Sequence, residues 1–463
     1  VGSEMCIRDS FVNWTIYYYP ANYYCLVLWA HGTGCMGVCF DVTNATDRLY
    51  LPELSEALSG LPAIMDVMLL DACSMSMTEV AYQIKDYVNV LVGPEGLGYA
   101  PPPYDQYLSR LVSNPSMSPS IFAREVVMDY INWCKLQSIE DIPNATMSAT
   151  DLTKITSLIA AIDDFALKLK EKETLHHGEI SLARNLTEGY QGPYEDRTGY
   201  YIDFYHLAQL THQYVLDEEL RNIADQVMTA LESIIIIEDH KALPNSHGLS
   251  ISFPDEKGKY EDDFGSVYEE TTFAEDTLWD EFVKYHLSGY VLTVDTPYSD
   301  LLVKFDEESY TTDDDGNLQL FVLPGSYTVN VTTPVSTEPG SRGVFTQWSD
   351  GRMSNPRTLD INKDSALVVQ YKTQHYLTVN TDPSGLTPQP SVSPEGPWYD
   401  EGDDSEQVRC TAREISGYVF DHWTVDEISQ GLGNNPITIP MNEPRNATAH
   451  YRLPPAWWEN LFR

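Results

Sequence analysis

Cys25-Leu-Val-Leu-Trp-Ala30, followed at once by His31 and Gly32, decides how the first half of this chain is read. An unbroken apolar run describes a strand covered on both faces, as in a parallel sheet, whereas a half-exposed strand would alternate. The next such run, Val67 to Leu70, ends on Asp71-Ala-Cys73. Between them, Leu51 to Leu58 reads as a short helix with Pro52 in its first turn and Gly60 as its stop. Ser76 to Val88 is amphipathic, and Val90 to Val92 resumes strand character before Gly93-Pro94. The order βαβα predicts an α/β fold: a parallel sheet with helices on its faces.

Outward from there, Asp151 to Lys172 is predicted helical, capped by Thr150 or Asp151, with Ile155, Leu158, Ile159, Ile162 and Phe165 on one stripe. Helices are expected over Ile202 to Val215, Glu218 to Leu231 and Thr277 to Leu287, and short strands over Ile234 to Ile237 and Leu249 to Phe253. The acidic stretch from Glu261 to Glu281 reads as a solvated face. From Gly289 the pattern changes to period-two strands broken by turn residues such as Asp315-Gly316 and Pro324-Gly325. Tyr290-Val-Leu-Thr-Val, Phe345-Thr-Gln-Trp348, Asn355-Pro356 and Val368-Val-Gln-Tyr371 recur in order as Tyr376-Leu-Thr-Val, Phe420-Asp-His-Trp423, Asn435-Pro436 and Ala447-Thr-Ala-His-Tyr451. This repeat predicts two related all-β, sandwich-like modules, with Trp348 and Trp423 as core.

Composition sets limits on function. Among 463 residues, 69 acidic against 28 basic side chains give a net charge of -41, which repels phosphate backbones and excludes a nucleic-acid partner. Seven cysteines are too few for a disulfide scaffold in a chain of this length. Sequons at Asn13, Asn44, Asn144, Asn185, Asn330 and Asn446 fit an extracellular or cell-surface protein. Neither a signal peptide nor an apolar run of about 20 residues is present. Residues 1–10 (VGSEMCIRDS) read as a non-native leader and are set aside. The tail 453–463, with Trp457-Trp458, suits either an interfacial belt or a segment docked on the last domain.

In an open α/β sheet, ligands bind beyond the carboxyl ends of the strands. His31 and Cys73 both stand there, an imidazole and a thiol on one edge. A helix beginning near Ser76 would point its positive end at Cys73, and Gly32 would offer its N–H to a developing oxyanion. The alternative is that Cys73 is ordinary core packing. His31, Cys35 and Cys39 are considered as zinc ligands, but Gly32, Gly34 and Gly37 argue against a helix that would align them, so no metal is assigned. H-E-x-x-H and G-x-S-x-G are both missing.

His31-Gly32-Thr-Gly34, Asp71-Ala72-Cys73-Ser-Met75 with Glu79-Val-Ala-Tyr, Tyr201-Ile-Asp-Phe-Tyr-His206, His247-Gly-Leu-Ser-Ile-Ser-Phe-Pro254 and Phe273-Ala-Glu-Asp-Thr-Leu-Trp-Asp-Glu-Phe282 together resemble the clostripain family of cysteine peptidases. The resemblance implies a caspase-like α/β/α sandwich with His31 and Cys73 as the catalytic dyad. It also implies a pocket for a basic P1 side chain formed by Asp71 and a second acidic residue, for which Glu95 and Asp105 are candidates. Cys35 replaces the usual aromatic after H-G-x-G, and Ser74 stands where Leu is common. Strands that precede the His strand in the family are missing here. Family members can depend on calcium, and the acidic surface permits it, but no ligand set stands out; no other cofactor is implied. Some mature by cutting between His and Cys after a basic residue, and Arg48 is the candidate here.

The resulting plan is a leader (1–10), a peptidase domain (11–288), β modules at 289–372 and 373–452, and a tail. The expected function is endopeptidase cleavage after Arg or Lys in peptide or protein substrates, with the modules associating with a cell surface. The alternative is an inert protein that binds a surface or partner through those modules.

Overall fold

A computed structural model of the chain describes residues 11–40, 48–190, 199–402 and 407–454. The leader, Asn44 and the Trp457-Trp458 pair lie outside them. The chain divides into two compact units, the first ending at Gly289 and the second beginning at Tyr290.

The first unit opens with α1 (Val12–Tyr18), β1 (Cys25–Trp29), α2 (Leu51–Ser59), β2 (Met65–Asp71), α3 (Thr78–Ile84) and β3 (Val88–Gly93). It continues through α4 (Tyr104–Ser113), α5 (Pro119–Leu136), β4 (Ala145–Asp151), α6 (Ile155–Leu186), β5 (Gly189–Tyr190) and β6 (Tyr201–Asp203). Next come α7 (Phe204–Tyr214), α8 (Glu218–Ile234), β7 (Ile235–Lys241) and β8 (Ser250–Ser252). It closes with α9 (Lys257–Glu261), α10 (Asp263–Tyr268), α11 (Thr272–Asp276) and α12 (Trp279–Ser288).

The main sheet runs β1-β2-β3-β4-β7, and a small sheet runs β5-β6-β8. β1, β2 and β3 are parallel, as the βαβα order requires, whereas β4 is antiparallel to both β3 and β7. The sheet is therefore mixed, and it turns within residues 101–150, where no element was expected although Phe122, Val126, Tyr130 and Cys134 recur at helical spacing in α5. Alternate residues of β2 point to opposite cores. Met68 and Leu70 pack with α2, α3, α6 and α7, while Val67 and Leu69 pack with Phe122, Val126 and Tyr130 of α5. This is the α/β/α sandwich. Among the described residues, no helix is long and apolar enough to cross a membrane.

One expectation is corrected. Among the described residues the run at 25–30 is an edge strand paired only with β2; Val27 is 40% and Trp29 67% exposed, and Leu28 is the one buried residue of β1. An apolar run signals burial only when partners cover it, and β1 is covered on one side.

The second unit is all β. Trp348 and Trp423 are fully buried, each in its own core. The repeated asparagines do the same work in each module. Asn355 accepts from Val331 N and donates to Val331 O, and Asn435 does so with Ala412. The strand Ser365–Asp382 runs through both cores, so the module boundary expected at 372/373 falls inside a continuous strand. Its early residues pair in parallel with Tyr290–Asp295 and its late residues in parallel with Arg445–Arg452.

Candidate active site

The site begins with strand register. Trp29 pairs with Asp71, and Ala30 N donates to Asp71 O at 3.2 Å. His31 and Cys73 each lie two residues beyond that pair, so parallel pairing delivers both to one edge of the sheet. A Cβ placed on Gly32 would stand 2.7 Å from the Cys73 carbonyl oxygen and 2.9 Å from Ala72 Cβ, a contact only glycine permits. Gly32 also faces Val38 across an isolated bridge, flanked by Thr33 N donating to Gly37 O and Cys39 N donating to His31 O. In that non-hydrogen-bonded pair the Gly32 N–H turns away from the hairpin, and it has no acceptor among the described residues. His31 itself is exposed.

Cys73 is half-buried. Burial pushes its thiol above the ordinary cysteine range; the N–H of Gly98, 3.3 Å from Sγ, pulls it back in part, and the charge of Asp71 adds to the rise. Among the described residues no hydrogen bond joins the His31 imidazole to this thiol. Ser74, at φ +59°, donates its N–H to Gly96 O at 2.7 Å, and Ser76 N donates to Pro94 O, so the turn after β2 is stitched to the loop after β3. The helix expected from Ser76 starts only at Thr78 and spans seven residues, too far and too short to stabilise a thiolate at Cys73. Gly98 supplies the local N–H instead.

Asp71 is 7% exposed and accepts a hydrogen bond from Tyr104 Oη. Burial raises its carboxyl, with Tyr104 opposing. Asp105 is exposed in the first turn of α4.

Glu95 is placed differently from the pocket wall expected of it. Only 1% exposed, its Oε1 takes the N–H of Gly248 at 3.1 Å and lies 3.0 Å from Tyr190 Oη. Tyr190 Oη is also 3.2 Å from Asp203 Oδ2. Asp203 caps α7 through His206 N and holds His247 through both its backbone N–H and its Nδ1. Burial first, and then the neighbouring Asp203 charge, hold the Glu95 carboxyl well above the carboxylate range. For His247, burial would depress the imidazole, but Asp203 outweighs it and raises it. Glu95 is thus an anchor for the 94–98 loop that carries Gly96 and Gly98. Tyr190, Asp203 and His247 are the partners that sequence reasoning did not assign; a signal existed for Asp203, an acidic residue directly ahead of a helix.

Arg48, the candidate cleavage residue, is held in place on both sides. Its guanidinium lies over the rings of Phe40 and Tyr50, at 5.2 and 5.0 Å. Leu49 is buried and bonded in both directions to Val38, so the Arg48–Leu49 peptide bond belongs to an ordered bridge. Cys35, weighed above as a zinc ligand, is buried with Sγ 3.7 Å from Tyr201 Oη and 3.6 Å from Ser252 Oγ.

Comparison with known proteins adds the family. A divergent InlB B-repeat domain matches residues 377–454. No curated protein matches the chain. Among solved structures, a secreted C11 cysteine protease from Bacteroides thetaiotaomicron called iotapain is 19% identical, with a TM-score of 0.46 over 59% of this chain and 77% of its own. An inactive zymogen C11 protease from Parabacteroides distasonis is 17% identical, with a TM-score of 0.43 over 57% and 73%. A clostripain from Bacteroides thetaiotaomicron in complex with a peptide inhibitor is 18% identical, with a TM-score of 0.39 over 52% and 99%. The clostripain family model matches residues 5–286, which takes in the whole main sheet and both the H-G and D-A-C segments. This chain belongs to the clostripain family and is a cysteine-type peptidase.

Proposed function

We propose that the chain is an endopeptidase in which Cys73 is the nucleophile, His31 the proton carrier and Asp71 the residue that selects Arg or Lys at P1. The observation that supports this reading is the packing of Gly32 on the Cys73 carbonyl, with His31 and Cys73 each two residues beyond the paired Trp29 and Asp71 on one sheet edge. In the reaction, the thiol gives its proton to His31 and sulfur bonds to the peptide carbonyl carbon. The oxyanion meets the Gly32 N–H. Collapse breaks the C–N bond, and the leaving amine takes the proton back from His31. Water, deprotonated by His31, then releases the acyl group and restores the thiol.

A desolvated carboxylate at Asp71 gains most from a cationic partner, and guanidinium adds bidentate geometry. Glu95, being buried and occupied, serves the loop behind Cys73 rather than the substrate. Self-cleavage after Arg48 would require Leu49 to leave its bridge with Val38. Action outside the cell is supported by the sequons: of the six, the five within the described residues all have their asparagine at least partly exposed. Association with a cell surface is assigned to the β modules.

The second reading, an inert binding protein, is favoured by one observation: the Cys73 thiol is raised and unbonded to His31. An electrophilic peptide probe with Arg at P1 separates the two. Labelling should vanish in Cys73→Ala and persist in Cys39→Ala; equal labelling of both variants overturns the assignment, and preference for an acidic P1 overturns the specificity.

A further inference from the structure

Helices α6 and α12 bring together three side chains that the peptidase reading does not use. Glu173 and His177 are four residues apart on α6 and so share a face of it, and His286 reaches them from α12. Glu173 is fully buried. Its Oε1 lies 2.6 Å from His177 Nδ1 and 2.7 Å from His286 Nδ1. The two imidazole centroids are 4.7 Å apart, and both Nε2 atoms lie 3.4 Å from Ser181 Oγ. One ligand atom from each of Glu173, His177 and His286 falls within 4.8 Å of the other two. The second carboxylate oxygen of Glu173 is buried with no hydrogen-bond partner among the described residues.

We propose that Glu173, His177 and His286 form a binding site for a divalent transition-metal ion, zinc by preference, that staples α6 to α12. Two imidazole Nδ1 nitrogens and one carboxylate oxygen are the donor set zinc takes, with a fourth position left for water, while Ser181 Oγ stands on the Nε2 side of both rings and orients them. Calcium wants six or more oxygens and finds one carboxylate here. A buried carboxylate oxygen without a donor is costly, and an ion at this point would satisfy it. His177 keeps 22% of its side chain exposed, which leaves the ion a way in. The site is structural in kind: α12 is the last element of the first unit, and an ion here would fix it to the longest helix of that unit.

The test uses the full chain in a Cys73→Ser background, so that the nucleophile does not compete for metal. After stripping with a chelator, equilibrium dialysis against zinc and against cobalt should load one ion per chain at this site. The cobalt spectrum should show nitrogen and oxygen ligation without a thiolate band. His286→Gln should weaken binding by at least about 100-fold, and zinc should raise the melting midpoint of the parent but not of the variant. His177→Gln, on the partly exposed side, is the companion variant that leaves the core intact if His286→Gln fails to fold. A parent that takes up no ion at micromolar free metal, or variants that bind as tightly as the parent, overturns the proposal and leaves the trio as a hydrogen-bonded clasp.

Discussion

The two units bury polar side chains to different ends. In the first, Glu95, Tyr190, Asp203 and His247 come from four separate stretches of chain to brace one loop beside one thiol. In the second, a tryptophan and an asparagine close each module, and the device is used twice: Trp348 with Asn355 on Val331, and Trp423 with Asn435 on Ala412. A singular arrangement assembled across the chain reads as chemistry. A duplicated local one reads as architecture. The difference teaches that burial of a polar group is not by itself a mark of function; what it converges on is.

The sharpest way to break that contrast is kinetic. Cys73→Ala should lower kcat/KM on an Arg-P1 peptide by about 10⁴-fold or more, since loss of a nucleophile removes the covalent route, while Trp423→Ala should leave kcat/KM within about twofold. Comparable losses from both would mean the modules take part in catalysis. Next in size is the stability of the repeat. Trp348→Ala and Trp423→Ala should each cost about 3–5 kcal/mol in urea unfolding of the full chain, and similar amounts, because each empties a fully buried site of the same kind. A large inequality would show that the modules have diverged in packing despite their shared sequence pattern.

The smallest effect concerns Glu79, buried at the start of α3, whose carboxyl burial raises from 4.5 to about 7 even though Ser252 N–H opposes the shift. The folded chain then keeps a proton that the unfolded chain gives up at the ordinary carboxyl value. Stability should accordingly fall as pH rises from about 4.5 to 7, by on the order of 3 kcal/mol in all, and flatten above that. Glu79→Gln stays neutral throughout and should remove the slope. A parent whose stability is level across that window, or a variant that keeps the slope, would assign the titration elsewhere.

Much of this was legible in sequence. The buried runs ending at Asp71 and Gly93 gave the parallel core of the sheet, and the recurring Trp and Asn positions gave the modules. β4 escaped notice because Ala145-Thr-Met-Ser-Ala-Thr-Asp151 is small and polar, yet six of its seven residues are buried between β3 and β7. Burial there comes from position in the sheet, not from side-chain character. β1 failed in the opposite sense, apolar but exposed. At the candidate site, the placement of His31 and Cys73 on one sheet edge was readable because strand ends announce themselves. The Glu95 network was not, because its members share no period and meet only in three dimensions. Glu173 and His177 stand at helical spacing, but His286, which completes their group, lies on another helix.

The strand Ser365–Asp382 has a mechanical consequence. Its 18 residues, at about 3.3 Å of rise each, span about 60 Å without a break, and it is zipped in parallel to the first module at one end and to the second at the other. Tension applied along the second unit would therefore pass from one tryptophan core to the next through a single stretched backbone, with no slack between them. The two modules should behave as a spacer of fixed reach rather than as beads on a string, and traction on one should be felt at once by the other.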